Sequence, residues 1–417
     1  MKSCAAIKTS AEVTVRAEYL MIGGFLGAGK TTAMLRLAHH LTAAGRRVGL
    51  ITNDQSYGLV DTALLRSHGF AVEEITGGCF CCRFDSLIQA SKELARRAAP
   101  DVFLAEPVGS CTDLRATVQY PLGRMYGDDY RVGPLTVLVD PIRALRILGL
   151  ESGNSLSSKV LYIYGKQLEE SDVIAINKCD LLPEERLGRL EEGLRDRYPG
   201  KRVLRMSARE GTGLDGWFAA LVEEPGCGRA PEIDYDSYAE GEAMLGWLNC
   251  TIRVRGGEPF DGNQFLLELA RRIRGRLAGE AIEIAHLKAN LTSDADVGNV
   301  SALSLVGTAR EAELAHTLER AMSAGELVLN LRAEGPPEVL RDAVEVGLAA
   351  SAAAAGVKAQ ITDLENTLRS ERSNIVGRIQ SEYQAAAKRE GMLQAAYSIQ
   401  LERVSDQLRK AIQYGIM

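Results

Sequence analysis

The fold of this chain is decided by the stretch Gly24-Phe25-Leu26-Gly27-Ala28-Gly29-Lys30-Thr31, which follows an apolar run and opens a helical pattern. Glycines let a strand turn sharply into a helix, so that backbone N–H groups and the helix N-terminus point at bound phosphates. The stretch therefore predicts a phosphate-binding loop in an α/β domain. The residues expected around the nucleotide are Gly24, Gly27, Ala28, Gly29, Lys30, Thr31 and Thr32.

Three side chains near this loop are candidates for phosphate and Mg²⁺ chemistry. Lys30 is expected to bridge the β- and γ-phosphates, and the Thr31 hydroxyl to bind Mg²⁺. Glu106 ends the apolar run 102–105 and precedes Pro107-Val108-Gly109, where its carboxylate would hold the Mg²⁺ shell or orient a water. The alternative for Glu106 is an ordinary polar residue where a strand meets solvent.

Two further residues are expected close to the phosphates and the magnesium ion. The backbone N–H of Gly109 is expected to donate to the γ-phosphate. Asp54 follows Asn53 at the end of the second apolar run and offers a further carboxylate to the magnesium ion.

A second motif predicts which base is bound. Asn177-Lys178-Cys179-Asp180 follows the apolar run 173–176, and the Asp180 carboxylate accepts from the N1–H and N2–H₂ groups of guanine, which adenine lacks. The segment Ser207-Ala208-Arg209 follows the next strand and is similar to the loop that gives guanine a backbone N–H in GTPases. The sequence thus predicts GTP and GDP as ligands.

A third motif is typical of a soft-metal site. Cys79-Phe80-Cys81-Cys82 places three of the eight cysteines within four positions, where disulfides between them are geometrically poor. Thiolates suit Zn²⁺, Cu⁺ or Co²⁺, and three of them supply most of a tetrahedral shell. The fourth ligand would be water, a nearby carboxylate such as Glu73 or Glu74, or a partner protein. Small buried thiols or a redox pair are the alternatives.

Composition excludes several classes of protein. The 417 residues are 46% hydrophobic and 25% charged, as in ordinary globular proteins, and a net charge of −6 argues against a nucleic-acid surface. The N-terminal stretch 1–17 has no apolar core of signal-peptide length, and no apolar run anywhere approaches the length of a membrane span. We expect no nucleic-acid or membrane partner, and a reducing cytoplasmic location.

The pattern along the chain predicts five parts. Short apolar runs alternating with helical stretches indicate a mostly parallel sheet with flanking helices, and a smaller α+β domain follows a linker rich in glycine and proline. The last part repeats apolar residues at three- and four-residue intervals, which is typical of a long amphipathic helix or coiled coil. The predicted bounds are an N-terminal extension at 1–17, a P-loop domain at 18–224, the linker at 225–240, the α+β domain at 241–356 and the helix at 357–417.

Together these motifs resemble the CobW branch of the P-loop GTPases, which includes the UreG and HypB metallochaperones. The resemblance covers about residues 19–224 and implies slow GTP hydrolysis with Mg²⁺, and Zn²⁺ or Co²⁺ at the cysteine loop. It also implies delivery of a metal or cofactor to a client metalloenzyme. The run 106–114 is similar to a subgroup associated with corrinoid-dependent methyl transfer, which implies a corrinoid protein as client.

The segment between the two domains and the C-terminal part of the chain differ from this family pattern. Many relatives carry a histidine-rich segment between the two domains, and this chain has none, which weakens a metal-storage role. The stretch from about residue 364 resembles the coiled coil of polysaccharide chain-length and tyrosine-autokinase proteins, which implies an oligomerisation helix. The alternative is a solvated amphipathic helix that packs on the second domain.

Three hypotheses follow from the sequence. The first is a GTP-hydrolysing metallochaperone in which nucleotide state controls metal binding at the Cys-x-Cys-Cys loop. The second is a GTPase gatekeeper of a corrinoid methyltransferase with a structural zinc, whose metal affinity would not depend on the nucleotide. The third is a GTP-binding scaffold or thiol protein with little turnover, assembled through the C-terminal helix.

Overall fold

The computed structural model describes residues 16–53, 62, 65–66, 68–76, 79–80, 83–153, 156–223 and 230–367. In these ranges the first domain alternates strands and helices. The strands are β1 (Ala17–Gly24), β2 (Val48–Asn53), β3 (Ala71–Ile75), β4 (Val102–Glu106), β5 (Tyr130–Val132), β6 (Thr136–Val139), β7 (Val173–Ile176) and β8 (Arg202–Arg205). The helices are α1 (Lys30–Ala43), α2 (Phe84–Ala98), α3 (Tyr120–Met125), α4 (Pro141–Ile147), α5 (Ser158–Glu170), α6 (Glu184–Arg197) and α7 (Leu214–Glu223).

The first sheet is parallel in every described pairing and has the order β3-β2-β4-β1-β6-β7-β8, with the short β5 beside β1. Strands β4, β6 and β7 are buried at every position, as expected when helices cover both faces of a sheet. The predicted α/β P-loop fold is confirmed by this topology. Because the strands are parallel, their carboxyl ends share one edge, where ligands of such folds bind.

The second domain is an antiparallel sheet with the order β12-β11-β10-β13-β9-β14. Two helices pack on one face of it, where alternate strand residues such as Leu287, Leu291 and Leu331 enter a common apolar core. Its elements are β9 (Gly246–Phe260), α9 (Gly262–Gly279), β10 (Ile284–Ser293), β11 (Asp296–Leu305), β12 (Glu313–His316), β13 (Met322–Ala333), α10 (Pro337–Ala355) and β14 (Val357–Thr367).

The prediction that a long helix begins at residue 357 is wrong for the described part of that segment. Gly356 has a left-handed backbone (φ 65°) and ends α10, and β14 then pairs with β9. A register shift between Ile361 and Asp363 places Ile361 and Leu364 opposite Ile252 and Cys250, on one face of the sheet. A bulge therefore produces the three-residue spacing that is typical of a helix. Residues 368–417 lie outside the described residues.

The predicted linker is also shorter than expected. A helix, α8 (Tyr235–Met244), occupies its last part and packs against α5 of the first domain. Asp234 accepts from the Ser237 backbone N–H at the start of this helix, and its own N–H donates to the Tyr162 hydroxyl at 2.7 Å. Capping by Asp234 thus starts a helix where the breaker-rich segment ends.

Among the described helices, none combines the length and the apolar character needed to cross a bilayer.

Candidate functional site

The carboxyl edge of the first sheet faces the second domain across a cavity of about 580 Å³. The strand order places the ends of β2, β4, β1, β6, β7 and β8 side by side along this edge. Most of the predicted nucleotide residues that the structure describes line the cavity, including Gly27, Gly29, Lys30, Thr31, Thr32, Glu106, Gly109, Asn177, Lys178, Asp180 and Ala208. Three others are buried in or next to the loops that follow β1 and β8: Gly24, Ala28 and Ser207.

The phosphate end of the cavity is built around Glu106. Thr31 Oγ1 donates to Glu106 Oε1 at 3.2 Å, and Lys30 Nζ lies 3.8 Å from the same oxygen. All three side chains are buried. A hydroxyl and a carboxylate at this separation are the oxygen ligands that Mg²⁺ prefers, so Thr31 and Glu106 fit the predicted magnesium site.

Glycine is required where the loops of the site approach one another. Gly27 has φ 79°, and a Cβ there would lie 2.6 Å from Val306 Cγ2, at the end of β11 in the second domain. A Cβ at Gly109 would lie 2.8 Å from Leu26 Cδ2 and 3.0 Å from the Leu26 nitrogen. The phosphate loop is therefore packed tightly between the β4 loop and the second domain.

Asn177 connects the loops at the end of the cavity where the guanine base is predicted to bind. Its Nδ2 donates to the Ala28 carbonyl at 2.8 Å, and its Oδ1 accepts from the Ala208 N–H at 2.9 Å. Arg36 of α1 donates to the Ala208 carbonyl at 2.8 Å. Asn177 thus joins the phosphate loop to the segment after β8, while the exposed Asp180 lines the cavity beside it.

Lys178 belongs to an ionic cluster that crosses the domain boundary. Its Nζ donates to the Gly27 carbonyl at 2.8 Å and to Asp140 Oδ2 at 2.9 Å. The same carboxylate oxygen accepts from Arg310 Nη1 of the second domain at 2.9 Å. Burial alone would raise the pKa of Asp140, but Lys178, Arg310 and Arg143 outweigh burial and lower it. Asp140 is therefore a buried anion held by cations from both domains.

Arg143 forms a second bridge between the domains. Its Nη1 donates to the Leu26 carbonyl of the phosphate loop at 2.6 Å, and its Nη2 to the Ala285 carbonyl of β10 at 2.8 Å. The guanidinium also lies 5.5 Å from the centre of the Phe25 ring. The position of the phosphate loop is thus linked to that of the second sheet.

The cysteine motif is connected to the cavity through Asn53. Its Nδ2 donates to the Ile75 carbonyl at 3.0 Å, and its Oδ1 accepts from the Phe80 N–H at 2.9 Å. Cys79 is buried, with 8% of its surface exposed. Cys81, Cys82 and Asp54 lie outside the described residues. Among the residues that are described, no group of three or more metal-ligating side chains is found.

The segment after Glu106 is held by α5. Gln167 Nε2 donates to the carbonyls of Gly109 and Cys111 at 2.9 and 2.8 Å. The buried Glu170 accepts from the Thr112 hydroxyl and from the Arg115 backbone N–H at 3.2 and 3.1 Å. Burial raises the pKa of Glu170 to about 8, although these hydrogen bonds oppose the rise. The loop that carries Gly109 therefore depends on a buried carboxyl group.

The sequence motifs do not identify the second-domain wall of the cavity, which we call the polar sheet face. Its residues pair across strands, with His286 opposite Arg332, and Lys288 opposite both Asn330 and Ser304. Opposite residues lie on one face of a sheet. The polar sheet face comprises His286, Lys288, Asn290, Ser304, Asn330 and Arg332. Strict alternation of polar and apolar residues over 286–292 of β10 is the sequence signal that could have revealed it.

The first domain is similar to known nucleotide-binding proteins. Residues 18–205 match the family described as "CobW/HypB/UreG, nucleotide-binding domain". Over 216 residues the chain is 29% identical to "Zinc-regulated GTPase metalloprotein activator 1" of Dictyostelium discoideum, covering 44% of each protein. Over 90 residues it is 39% identical to "Zinc chaperone YeiR" of Escherichia coli (strain K12), covering 21% of this chain and 27% of that protein.

Among solved structures, HypB from Helicobacter pylori in complex with nickel aligns with a TM-score of 0.37 and 17% identity. That alignment covers 50% of this chain and 87% of HypB. The alignments with the two curated relatives span less than half of each relative's length. The family match therefore shows that residues 18–205 are similar to the CobW/HypB/UreG nucleotide-binding domain.

Proposed function

We propose that this chain, whose residues 18–205 match the CobW/HypB/UreG nucleotide-binding domain, is a GTP-hydrolysing metallochaperone or cofactor-insertion protein. In this proposal the nucleotide state controls metal binding at the loop Cys79-Phe80-Cys81-Cys82. The cargo is Zn²⁺ or Co²⁺, and the recipient is a client metalloenzyme. Both curated relatives named above have zinc in their names, which favours Zn²⁺.

The observation that carries this proposal is the double hydrogen bond of Asn53. This residue ends β2, lines the cavity with Lys30 and Thr31, and is buried. Its side chain binds both the end of β3 and the Phe80 N–H inside the cysteine motif. A movement at the phosphate end would therefore change the backbone that carries the thiols.

The residues of the phosphate end support GTP hydrolysis. Lys30 is buried beside Glu106 and would neutralise negative charge that develops on the phosphates. Glu106 would orient the attacking water, and with Thr31 it would hold Mg²⁺, which supplies further charge neutralisation when bound. Asp180, exposed at the other end of the cavity, would accept the two guanine donors.

The proposal is tested by titrating Zn²⁺ and Co²⁺ into the purified protein, first with GDP and then with a non-hydrolysable GTP analogue. We expect the metal affinity to differ between the two nucleotides. Cys81→Ser/Cys82→Ser should remove metal binding in both states. Equal metal affinity with both nucleotides would contradict the proposal and favour the gatekeeper of a corrinoid methyltransferase with a structural zinc.

Asn53→Ala tests the connecting residue in the same titration. It should retain metal binding through the thiolates but lose the difference between GDP and the GTP analogue. Asn299→Ala is the matched control, because Asn299 also accepts a backbone N–H, from Glu319 at 3.1 Å, but lies in the second domain. A nucleotide-dependent metal affinity in Asn53→Ala would show that the coupling does not pass through this side chain.

A further inference from the structure

We propose that the polar sheet face of the second domain completes the nucleotide site, with Lys288 binding the terminal phosphate of GTP. This inference rests on the GTP binding proposed above and assigns part of the site to a domain outside residues 18–205. Lys288 would then distinguish GTP from GDP, and the second sheet would respond directly to the nucleotide state.

The phosphate loop is in direct contact with the second domain. Gly27 packs against Val306, where even a methyl group would not fit. Arg143 donates to the carbonyls of both Leu26 and Ala285, and Ala285 directly precedes His286 on β10. Leu26 and Gly27 of the phosphate loop are thus linked to the start of β10 and the end of β11, the two strands that carry His286 and Ser304 of the polar sheet face.

The lining of the cavity carries more positive than negative charge. Among the described residues that line it, lysines and arginines outnumber aspartates and glutamates. His286 is buried among them, and its Nε2 lies 3.0 Å from Ser304 Oγ. Burial lowers the pKa of His286 well below its usual value, and the charges of Lys288, Lys178 and Lys30 lower it further. Cations from both domains therefore act on one ring, and an anion between them would be stabilised.

Arg332, the other permanently charged residue of the polar sheet face, makes its contacts within its own sheet. The Arg332 guanidinium donates to the Leu248 and Leu331 carbonyls, both at 3.1 Å, and stacks 4.1 Å from the centre of the Trp247 ring. These contacts fix Arg332 to its own sheet. Lys288 is half-buried in the middle of the face, and its ammonium group is a point charge with three N–H donors, which is how lysine binds phosphates.

The terminal phosphate is the part of the nucleotide that this placement favours. Asn177, Ala208 and Asp180 surround the predicted base end, at the ends of β7 and β8. Lys30 and Gly109, the residues expected at the γ-phosphate, line the cavity, and Lys30 lies close enough to the buried His286 of the polar sheet face for its charge to lower the pKa of that ring. A phosphate held by Lys30 would thus enter the space that the polar sheet face closes.

The test compares the dissociation constants of GDP and a non-hydrolysable GTP analogue by calorimetry, with Mg²⁺, for the full chain. Lys288→Gln should weaken binding of the analogue about tenfold or more, because a charge-assisted hydrogen bond is lost, and should leave GDP within about twofold. Lys288→Arg should preserve the preference for the analogue. Lys358→Gln is the matched control, since it removes the same charge from an exposed position on β14.

The outcomes separate this inference from the proposed function. An unchanged ratio of the two constants in Lys288→Gln, or an equal loss for both nucleotides, would overturn the role of Lys288 while leaving GTP binding intact. Failure of the wild-type chain to bind either nucleotide would overturn both. A selective loss for the analogue that Lys358→Gln does not show would establish the second domain as part of the nucleotide site.

Discussion

Asp140→Asn is the substitution that probes the domain boundary most directly. Asp140 Oδ2 accepts from Lys178 and from Arg310, both at 2.9 Å, while its Oδ1 accepts from the Arg143 backbone N–H at 3.1 Å and caps α4. Asparagine is an equally good helix cap, so it retains the cap and removes the charge. The variant therefore isolates the ionic contribution of the cluster.

The expected magnitude follows from the surroundings of each cation. Breaking a buried ion pair from one side costs about 3–5 kcal/mol, because the remaining charge is left uncompensated. Lys178 retains the Gly27 carbonyl, and Arg310 is 17% exposed and lies 3.8 Å from Glu313. These alternatives place Asp140→Asn near the lower end, at about 3 kcal/mol of unfolding free energy. Asp140→Ala should cost about 1 kcal/mol more through loss of the cap.

Urea unfolding followed by tryptophan fluorescence measures this difference, since Trp217 and Trp247 are both buried. Asp261→Asn is the matched control. Asp261 caps α9 by accepting from Asn263 and Gln264 but is exposed, so its substitution should cost less than about 0.5 kcal/mol.

The pH dependence has a defined sign. Because the folded-state pKa of Asp140 is lowered, its stabilisation is complete above the unfolded pKa of about 3.9 and is lost as the pH falls through the folded value. Wild type and Asp140→Asn should therefore converge in acid. A variant as stable as wild type at pH 7, within about 0.5 kcal/mol, would refute the ionic bridge as a source of stability.

Two further substitutions test the phosphate loop and the segment after Glu106. Gly27→Ala should weaken nucleotide binding and destabilise the chain by about 2–4 kcal/mol, since it adds a positive-φ residue and a clash with Val306. Adding Val306→Ala to Gly27→Ala should restore the part of the stability that the clash removes, but not the part lost to the positive φ. A double variant no more stable than Gly27→Ala in urea denaturation would contradict the contact between Gly27 and Val306. Glu170→Gln should flatten the pH dependence of stability. The raised pKa of Glu170, about 8, stabilises the wild type fully below the unfolded value near 4.5, and this contribution is lost as the pH rises to 8, by at most about 1.4 kcal/mol per unit. Urea midpoints from pH 5.5 to 8.5 that run parallel for the two proteins would contradict this assignment.

Much of the first domain could be predicted because its signals are local. The glycines before Lys30 and the apolar runs that become β1, β4 and β7 each lie within a few consecutive residues. Parallel strands then bring Glu106 and Asn177 to the same edge without further information. Metal binding at the cysteine motif stays a prediction, because Cys81 and Cys82 lie outside the described residues.

Other parts were missed because their signals were ambiguous or absent. The three-residue spacing of Ile361 and Leu364 is typical of a helix, but a bulge in β14 gives the same spacing in a strand. The strands β3 and β5 are only five and three residues long, and their place in the sheet is set by pairing with β2 and β1. Periodicity alone does not distinguish these cases.

The sequence by itself determined that this chain has a phosphate loop, a guanine-type motif and a parallel sheet, since each depends on residues adjacent in the chain. Only the tertiary structure decided which residues meet across the domain boundary. Asp140 and Arg310 are 170 positions apart, and Val306 reaches Gly27 from another sheet. Such contacts arise when two folded domains pack against each other. Packing depends on the shape and charge of whole surfaces, and these have no local signature in a single sequence.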